Sequence, residues 1–439
     1  MGEHHLNLFQ RLTRRWEAVH PYNAAQVLCV AGRLAPSQAA EAWAESLRGL
    51  GLGRVQLVDR FRFRHEVLNG EFARYPLRVL APGTGIESHL TAELNRPFSE
   101  PDEPPFRPFL LEEADQFYFG VVYQHWVADS VSIRCVLREW FTRLFDPGAA
   151  RGSALHHPRE GYWRLFGGRG SWRLDETLLA NFRTHMRHRQ VRKVRSFGPA
   201  DYPVRVTIHH TPNGLIDQLR PVARAQELKL HDVLLAAVAE ACDRFVPTQS
   251  RRNRPDLSIG SIIDLRRHAS ADLNDTFGLF LGFTSVVCRR DALANWPRLV
   301  HCVAAQNRKH KQSGLPQASM LWMLAALAVN PLVPDRNLYH FYRKEMPISG
   351  GLSNVNLNDS WAARYHPQPL RHYLRVSPTG PLVPLVFSTT TLGSRLSFAL
   401  TCREALLSPE QEAAMALGFT RRLQTAGAGG LKVDLSRQL

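Results

Sequence analysis

His125 and Asp129 stand four residues apart in the stretch Phe117–Phe141, FYFGVVYQHWVADSVSIRCVLREWF. An imidazole titrates near neutrality, so a positioned histidine can take a proton from a reacting group and return it. A carboxylate close by either charges the ring or ties down the turn that carries it. The spacing alone is weak: with 19 His in 439 residues it arises about once by chance, and a second copy stands at His268 and Asp272. That copy lies in the polar run RRHASADLND, with no apolar helix after it. Context separates the two.

The apolar run Phe117–Tyr123 has the length and the aromatic and β-branched make-up of a buried strand. A short turn follows over Gln124–Ser130. Ile133, Val136, Leu137, Trp140, Phe141 and Leu144 then recur at helical spacing, with Asp129, Ser130 or Ser132 available as N-cap. A strand that ends at His125 fixes its backbone, and a helix start at Asp129 lets the carboxylate be held beneath it.

On these residues the chain resembles the chloramphenicol acetyltransferase-like superfamily, which includes condensation domains of peptide synthetases, wax-ester synthases and polyketide-associated acyltransferases. QHWVADS is similar to the HHxxxDG motif of that superfamily, with His125 as its second His and Asp129 as its Asp. Gln124 stands where many members have the first His, and Ser130 where they have Gly. Three further stretches are similar to family elements. HDVLLAAVAEACDRF (His231–Phe245) resembles an NDVLLAA-type helix, with His231 for the usual Asn. LSIGSIIDL (Leu257–Leu265) resembles a strand that ends in an arginine, here Arg266. ISGGLSNVNL (Ile348–Leu357) resembles an SNVPGP-like segment.

The resemblance implies an α/β fold of two chloramphenicol-acetyltransferase-like halves, each a mixed sheet flanked by helices, with an active-site tunnel between them. It implies transfer of an acyl group from a thioester to an alcohol or amine, giving an ester or amide in lipid or specialised-metabolite biosynthesis. His125 is the implied general base. A desolvated carboxylate needs a partner; Arg266 is the implied partner of Asp129, ahead of Arg267, which makes Asp129 structural. Oxyanion donors are expected from the backbone at Ala128–Ser130 and from Ser353 or Asn354, which read equally well as turn formers after Gly350-Gly351. Ser130, Gln124 and Trp126 are further candidates for contact with substrate. No GxSxG elbow or catalytic-Cys signature calls for an acyl-enzyme. The donor implied is a phosphopantetheine thioester, on an acyl carrier protein or coenzyme A, with no permanently bound cofactor and no metal. Two other readings stay open: a scaffold of the same fold without catalysis, motivated by Gln124 and Ser130, and a nucleic-acid-binding protein, motivated by charge alone.

The formal charge is +16, with basic clusters at Arg183–Arg195 and Arg251–Arg254. It fits nucleic acid, an acidic partner or a membrane surface, but no zinc-finger, RNP or helix-turn-helix pattern accompanies it. The first cluster reads as solvated surface, or as a docking patch for a carrier protein or the phosphates of coenzyme A. Six widely spaced cysteines without a CxxC suggest free thiols in a reducing cytoplasm. No run approaches a membrane span, and Met320–Val333, the richest, reads as a buried helix; peripheral membrane contact remains open. The first residues lack a signal-peptide pattern, and Leu6 stands where a lipidation motif needs Ser or Thr. The expected division is an N-terminal half (1–180), a basic linker (181–200) and a C-terminal half (201–439). Expected strands include Val27–Leu34, Val55–Phe63, Phe109–Glu113 and Val204–His210. Expected helices include Ser37–Leu50 and one that starts at Ser408-Pro409 with a capping box.

Overall fold

The computed structural model describes residues 3–66, 77–98, 103–151, 153–157, 162–166, 182–249, 254–312, 315–362 and 370–430. Residues 152, 158–161 and 167–170 of the connection read between Gly148 and Gly170, and Arg251 and Arg252 of the second basic cluster, lie outside the described residues.

The order of elements begins with α1 (Leu8–Glu17), closed by a capping box at Asn7, then β1 (Asn23–Ala31) and α2 (Pro36–Leu50), which ends on Gly51 at φ 69°. β2 (Phe106–Glu112) and β3 (Gln116–Gln124) form an antiparallel pair, and α3 (Ser130–Phe145) follows. β3 pairs with β1 over its whole length, Asn23 opposite Gln124. It is central in its sheet, buried on both faces, and its apolar run reflects that. Gly120 lies where β1 comes closest: a Cβ there would stand 2.7 Å from the Gln26 carbonyl and 3.0 Å from Val27 Cα.

The second sheet contains β4 (Val204–His210), β5 (Leu257–Asp264), β6 (Leu281–Cys288), β7 (Gly350–Asn356), β9 (Leu385–Leu392) and β10 (Arg395–Arg403), in the order β6-β5-β7-β9-β10-β4. The pairs β5–β7 and β7–β9 are parallel and the others antiparallel. α4 (Leu230–Phe245) and α6 (Pro409–Gly427) cover it, with Ala237, Leu234, Met415 and Phe419 in one core.

Between β7 and β9 the chain leaves this sheet. β8 (Leu370–Val376) pairs antiparallel with β1 and forms the edge of the N-terminal sheet, in the order β8-β1-β3-β2 followed by Arg78–Val79. α1 crosses the other way, burying Phe9, Leu12 and Trp16 against Met320, Met323 and Leu338. A cut of the sequence at 181–200 therefore leaves the second sheet whole but separates β8 from the first sheet, and α1 from the core it packs on.

Two elements differ from expectation. Val55–Phe63 is not one strand but parts of the hairpin Arg54–Leu57 and Arg62–Glu66, folded where Asp59 accepts from the amides of Phe61 and Arg62. The helix over the Met320 run, α5 (Leu315–Val329), is not buried throughout: Met320 and Met323 are interior, while Leu324, Val329 and the following Leu332 are exposed. No described helix is long and apolar enough to cross a membrane. All six cysteines are free.

Candidate active site

β3 delivers His125 and α3 holds the turn beneath it. The His125 amide donates to the Tyr22 carbonyl at 3.0 Å, and the Val127 amide to that of Gln124 at 3.1 Å, which closes the turn. Asp129 is the N-cap of α3, its Oδ1 accepting from the amides of Val131 (3.0 Å) and Ser132 (2.9 Å). Its Oδ2 accepts from Arg266 Nη1 at 2.5 Å and from the Phe280 amide at 2.8 Å. Both oxygens are taken, and none of the four donors is His125.

Arg266 begins a single 3-10 turn at the end of β5. Its Nη2 donates to Ser132 Oγ (3.0 Å) and the Thr276 carbonyl (3.3 Å), and its guanidinium lies 4.7 Å from the centre of the Phe280 ring. Burial alone would raise the Asp129 carboxyl, but the Arg266 charge and hydrogen bond, with the Phe280 and Ser132 amides, outweigh it and hold the group below the usual carboxylate range. The pair spans the molecule's two halves.

His125 lines a cavity of about 140 Å³ between the sheets. The wall takes Tyr22, Gln26, Tyr123 and Ser130 from one side, and Ser261, Asp264, Ser353 and Asn354 from the other. The Tyr22 and Tyr123 rings lie 5.5 and 5.7 Å from the imidazole. Its Nδ1 is sealed from solvent without a partner, leaving Nε2 as the nitrogen open to the cavity. Burial pushes the imidazole down to about 4, and the Arg375 charge adds to that against the opposing pull of its own backbone and Asp129. The ring is thus neutral at pH 7 and able to accept a proton. A second cavity of about 300 Å³, almost wholly apolar, adjoins through Trp16, Phe283 and Leu382.

The remaining sequence candidates divide. Ser130 and Ser353 line the cavity, and their hydroxyls accept from the same guanidinium, that of Arg375. Asn354 also lines it, on strand β7 rather than in a turn. Trp126 does not reach the cavity: it is fully buried in the N-terminal core with Phe63 edge-on. Gln124 is buried with its amide directed at Glu17, away from the wall. Arg267, His268 and Asp272 are exposed. Sequence reading overlooked Arg375, whose only mark is to be one of 55 basic residues, in a strand that belongs to the other half's sheet. It also overlooked Asp264, raised by burial and by the charge of Asp129.

No family model matches the sequence, and no curated protein matches it. Solved structures do. The chain is similar to the first condensation domain of the calcium-dependent antibiotic synthetase in complex with a substrate analogue, with TM-score 0.69 and 15% identity over 99% of this chain and 98% of that one. It is similar to the condensation domain of the monacolin K polyketide synthase MokA, with TM-score 0.67 and 11% identity over 98% of each. It is also similar to the X-domain from teicoplanin biosynthesis in its complex with OxyB, with TM-score 0.58 and 15% identity over 96% and 93%. The fold is that of the condensation domains, two-lobed and chloramphenicol-acetyltransferase-like, over nearly the whole chain.

Proposed function

We propose that the protein is a condensation-type acyltransferase, moving an acyl group from a thioester to an alcohol or amine. The observation that carries this is a neutral imidazole, His125, open through Nε2 to a cavity between the halves, while the neighbouring carboxylate is committed to Arg266. Nε2 takes the proton of the acceptor's hydroxyl or amine as its heteroatom attacks the thioester carbonyl carbon. The tetrahedral oxyanion forms beside the NH₂ group of Asn354, whose Oδ1 is occupied by the Thr389 hydroxyl. Its collapse breaks the carbon–sulfur bond, and the imidazolium returns the proton to the departing thiolate. Asp129 and Arg266 exchange no proton and keep the turn in place. The donor proposed is phosphopantetheine-borne, on a carrier protein or coenzyme A. Within the basic cluster of the linker, Arg192 pairs with Asp243 and Arg195 with Asp201, so those two charges are partly spent inside the molecule.

A single-turnover assay tests the reading. The protein and its His125→Ala form are offered acyl-carrier-protein and acyl-coenzyme A donors with mixed alcohols and amines, and products are read by mass spectrometry. Product from one donor, lost in the variant, is expected. A second reading, a binding module for a protein partner, is favoured by the placement of Gln124 away from the cavity and by the likeness to an X-domain that is complexed with OxyB. No turnover from any pairing, with biological function intact in His125→Ala, establishes that reading instead.

A further inference from the structure

Arg375 is a buried arginine without an acid. It is 5% exposed and makes no ion pair among the described residues. An uncompensated charge in the interior is costly, and such charges are normally paired. Of the other buried arginines among the described residues, Arg107 has Glu93 and Glu103 and Arg266 has Asp129, while Arg403, also without an acid, lies among the rings of Phe197, Tyr202 and Tyr339 at 5.5, 4.7 and 5.2 Å. Among the described residues Arg375 has neither a paired carboxylate nor an aromatic face.

What surrounds it is a set of donors. Nε donates to Ser130 Oγ at 2.8 Å and Nη2 to Ser353 Oγ at 2.7 Å. Nη1 reaches only long contacts, 3.4 Å to the Ser353 carbonyl and 3.3 Å to that of Thr389. Each hydroxyl, having accepted from the guanidinium, keeps its own proton to give. Asn354 Oδ1 is occupied by the Thr389 hydroxyl at 2.9 Å, which leaves its NH₂ group as a donor. Arg375, Ser130, Ser353 and Asn354 all line the cavity that His125 faces. The acid on that wall, Asp264, accepts from the Arg266 amide at 3.0 Å and lies 3.7 Å from the Arg266 guanidinium. The cavity thus presents a fixed positive charge and several hydrogen-bond donors from one wall.

We propose that Arg375, with Ser130 and Ser353, is a carboxylate-binding subsite, and that one of the two substrates reaches His125 carrying a free carboxylate. An oxyanion meets this charge only in the transition state, whereas a substrate carboxylate neutralises it for as long as the substrate is bound. The fork of Nε and Nη2 fixes the hydroxyls of Ser130 and Ser353 side by side, so that their two protons match the two oxygens of that group beside the guanidinium charge. The guanidinium remains protonated throughout the neutral range, burial having lowered it to about 10. The anion site stands on these contacts alone; the claim that its ligand is a substrate rests on the acyl-transfer reading.

Binding is measured first, by calorimetry and thermal shift on the full chain. The probes are benzoate and N-acetylglycine, their neutral amides benzamide and N-acetylglycinamide, and inorganic phosphate. The acids are expected to bind the protein and its His125→Ala form at least about tenfold more tightly than the amides, and to lose that preference in Arg375→Gln. Arg375→Lys, which keeps the charge without the fork, is expected to fall between, and it stands in if Arg375→Gln does not fold. Acids and amides that bind alike, no binding of either, binding of phosphate alone, or an acid preference that survives Arg375→Gln each overturn the proposal. A lower melting temperature in Arg375→Gln without any acid preference in the parent shows a strap between the two sheets instead. Turnover then locates the carboxylate: acceptors and acyl donors are each offered as free acid and as methyl ester. The subsite is expected to give the acid form of one of them a kcat/KM about 10- to 100-fold higher, an advantage absent in Arg375→Gln. Loss of turnover with acid binding intact refutes the transferase reading and leaves the anion site standing.

Discussion

His125 is held neutral by its surroundings, and the sign of its pH dependence follows. The imidazole is lowered to about 4 from the ordinary 6.5, first by burial and then by the Arg375 charge. The base form is therefore the resident form across the physiological range. kcat/KM is expected to stay level as pH falls through 6.5 and to drop only towards about 4. A pH–rate profile with its acid limb centred at 6.5 contradicts the desolvated setting of the ring. Asp129 and Arg266 obey a different rule. Removal of one member of a buried pair strands the other's charge, so Asp129→Ala is expected to cost about 3–5 kcal/mol. Arg266→Met is expected to cost a similar amount, and Asp129→Asn/Arg266→Met to recover much of it, because neither charge remains. Urea unfolding of the three variants measures this; additive losses in the double variant reject a coupled pair.

The turn under His125 is held by a loop far away in sequence. Gly278, at φ 151°, places its carbonyl to accept from the Asp129 amide (2.9 Å) and the Ser132 hydroxyl (2.9 Å), and its amide to donate to that hydroxyl (3.0 Å). A Cβ there would stand 2.9 Å from the Phe280 ring, whose residue supplies an amide to Asp129. Gly278→Ala is expected to cost about 1–3 kcal/mol, from strain in the left-handed region. It is also expected to lower turnover more than binding, because the His125 turn shifts; unchanged stability and turnover show that Gly278 does not hold the turn. The strand–turn–helix around His125 was legible because each element carries its own period and cap: the run Phe117–Tyr123, the N-cap Asp129 and the spaced apolar face of α3. The helix at Ser408 was legible through its capping box, whose two reciprocal bonds the structure contains. That β8 belongs to the N-terminal sheet was not legible, since a strand's sequence records that it is buried and not what buries it. Arg375 was hidden for that reason. Trp126 was misread because one more residue along the turn points into the core.

At the scale of the molecule, histidine burial makes the fold sensitive to mild acid. Burial lowers His20, His65, His89, His125, His188, His310 and His372 to about 4, and His157 to about 2. In the unfolded chain each takes up a proton near 6.5, while in the folded chain it does so only near 4 or below. Between those values the unfolded state binds more protons, so stability rises with pH in that window. The stabilisation is complete above 6.5 and is lost as pH falls towards 4. Glu412, raised to about 7 by burial, and Asp264, also raised, act in the opposite sense, since the folded state then holds the extra proton. They are outnumbered. Asp129 adds a loss of its own only at lower pH, because its carboxyl is held below the usual range. The formal charge of +16 already disfavours further protonation of the compact state. The melting temperature, measured at constant ionic strength from about pH 7.5 down to about pH 5, is expected to fall steadily once below 6.5, each unmatched proton contributing about 1.4 kcal/mol per pH unit. His188 provides the internal control, since its ring is buried between the hydroxyls of Ser258 (3.0 Å) and Ser285 (2.7 Å). His188→Gln keeps a polar group between the two serines and removes the titration, so the slope in that variant is expected to be shallower by one proton. A melting temperature that stays flat down to about pH 5 means the histidines open to water before the chain unfolds, and burial of the neutral rings is then not what sets the acid limit.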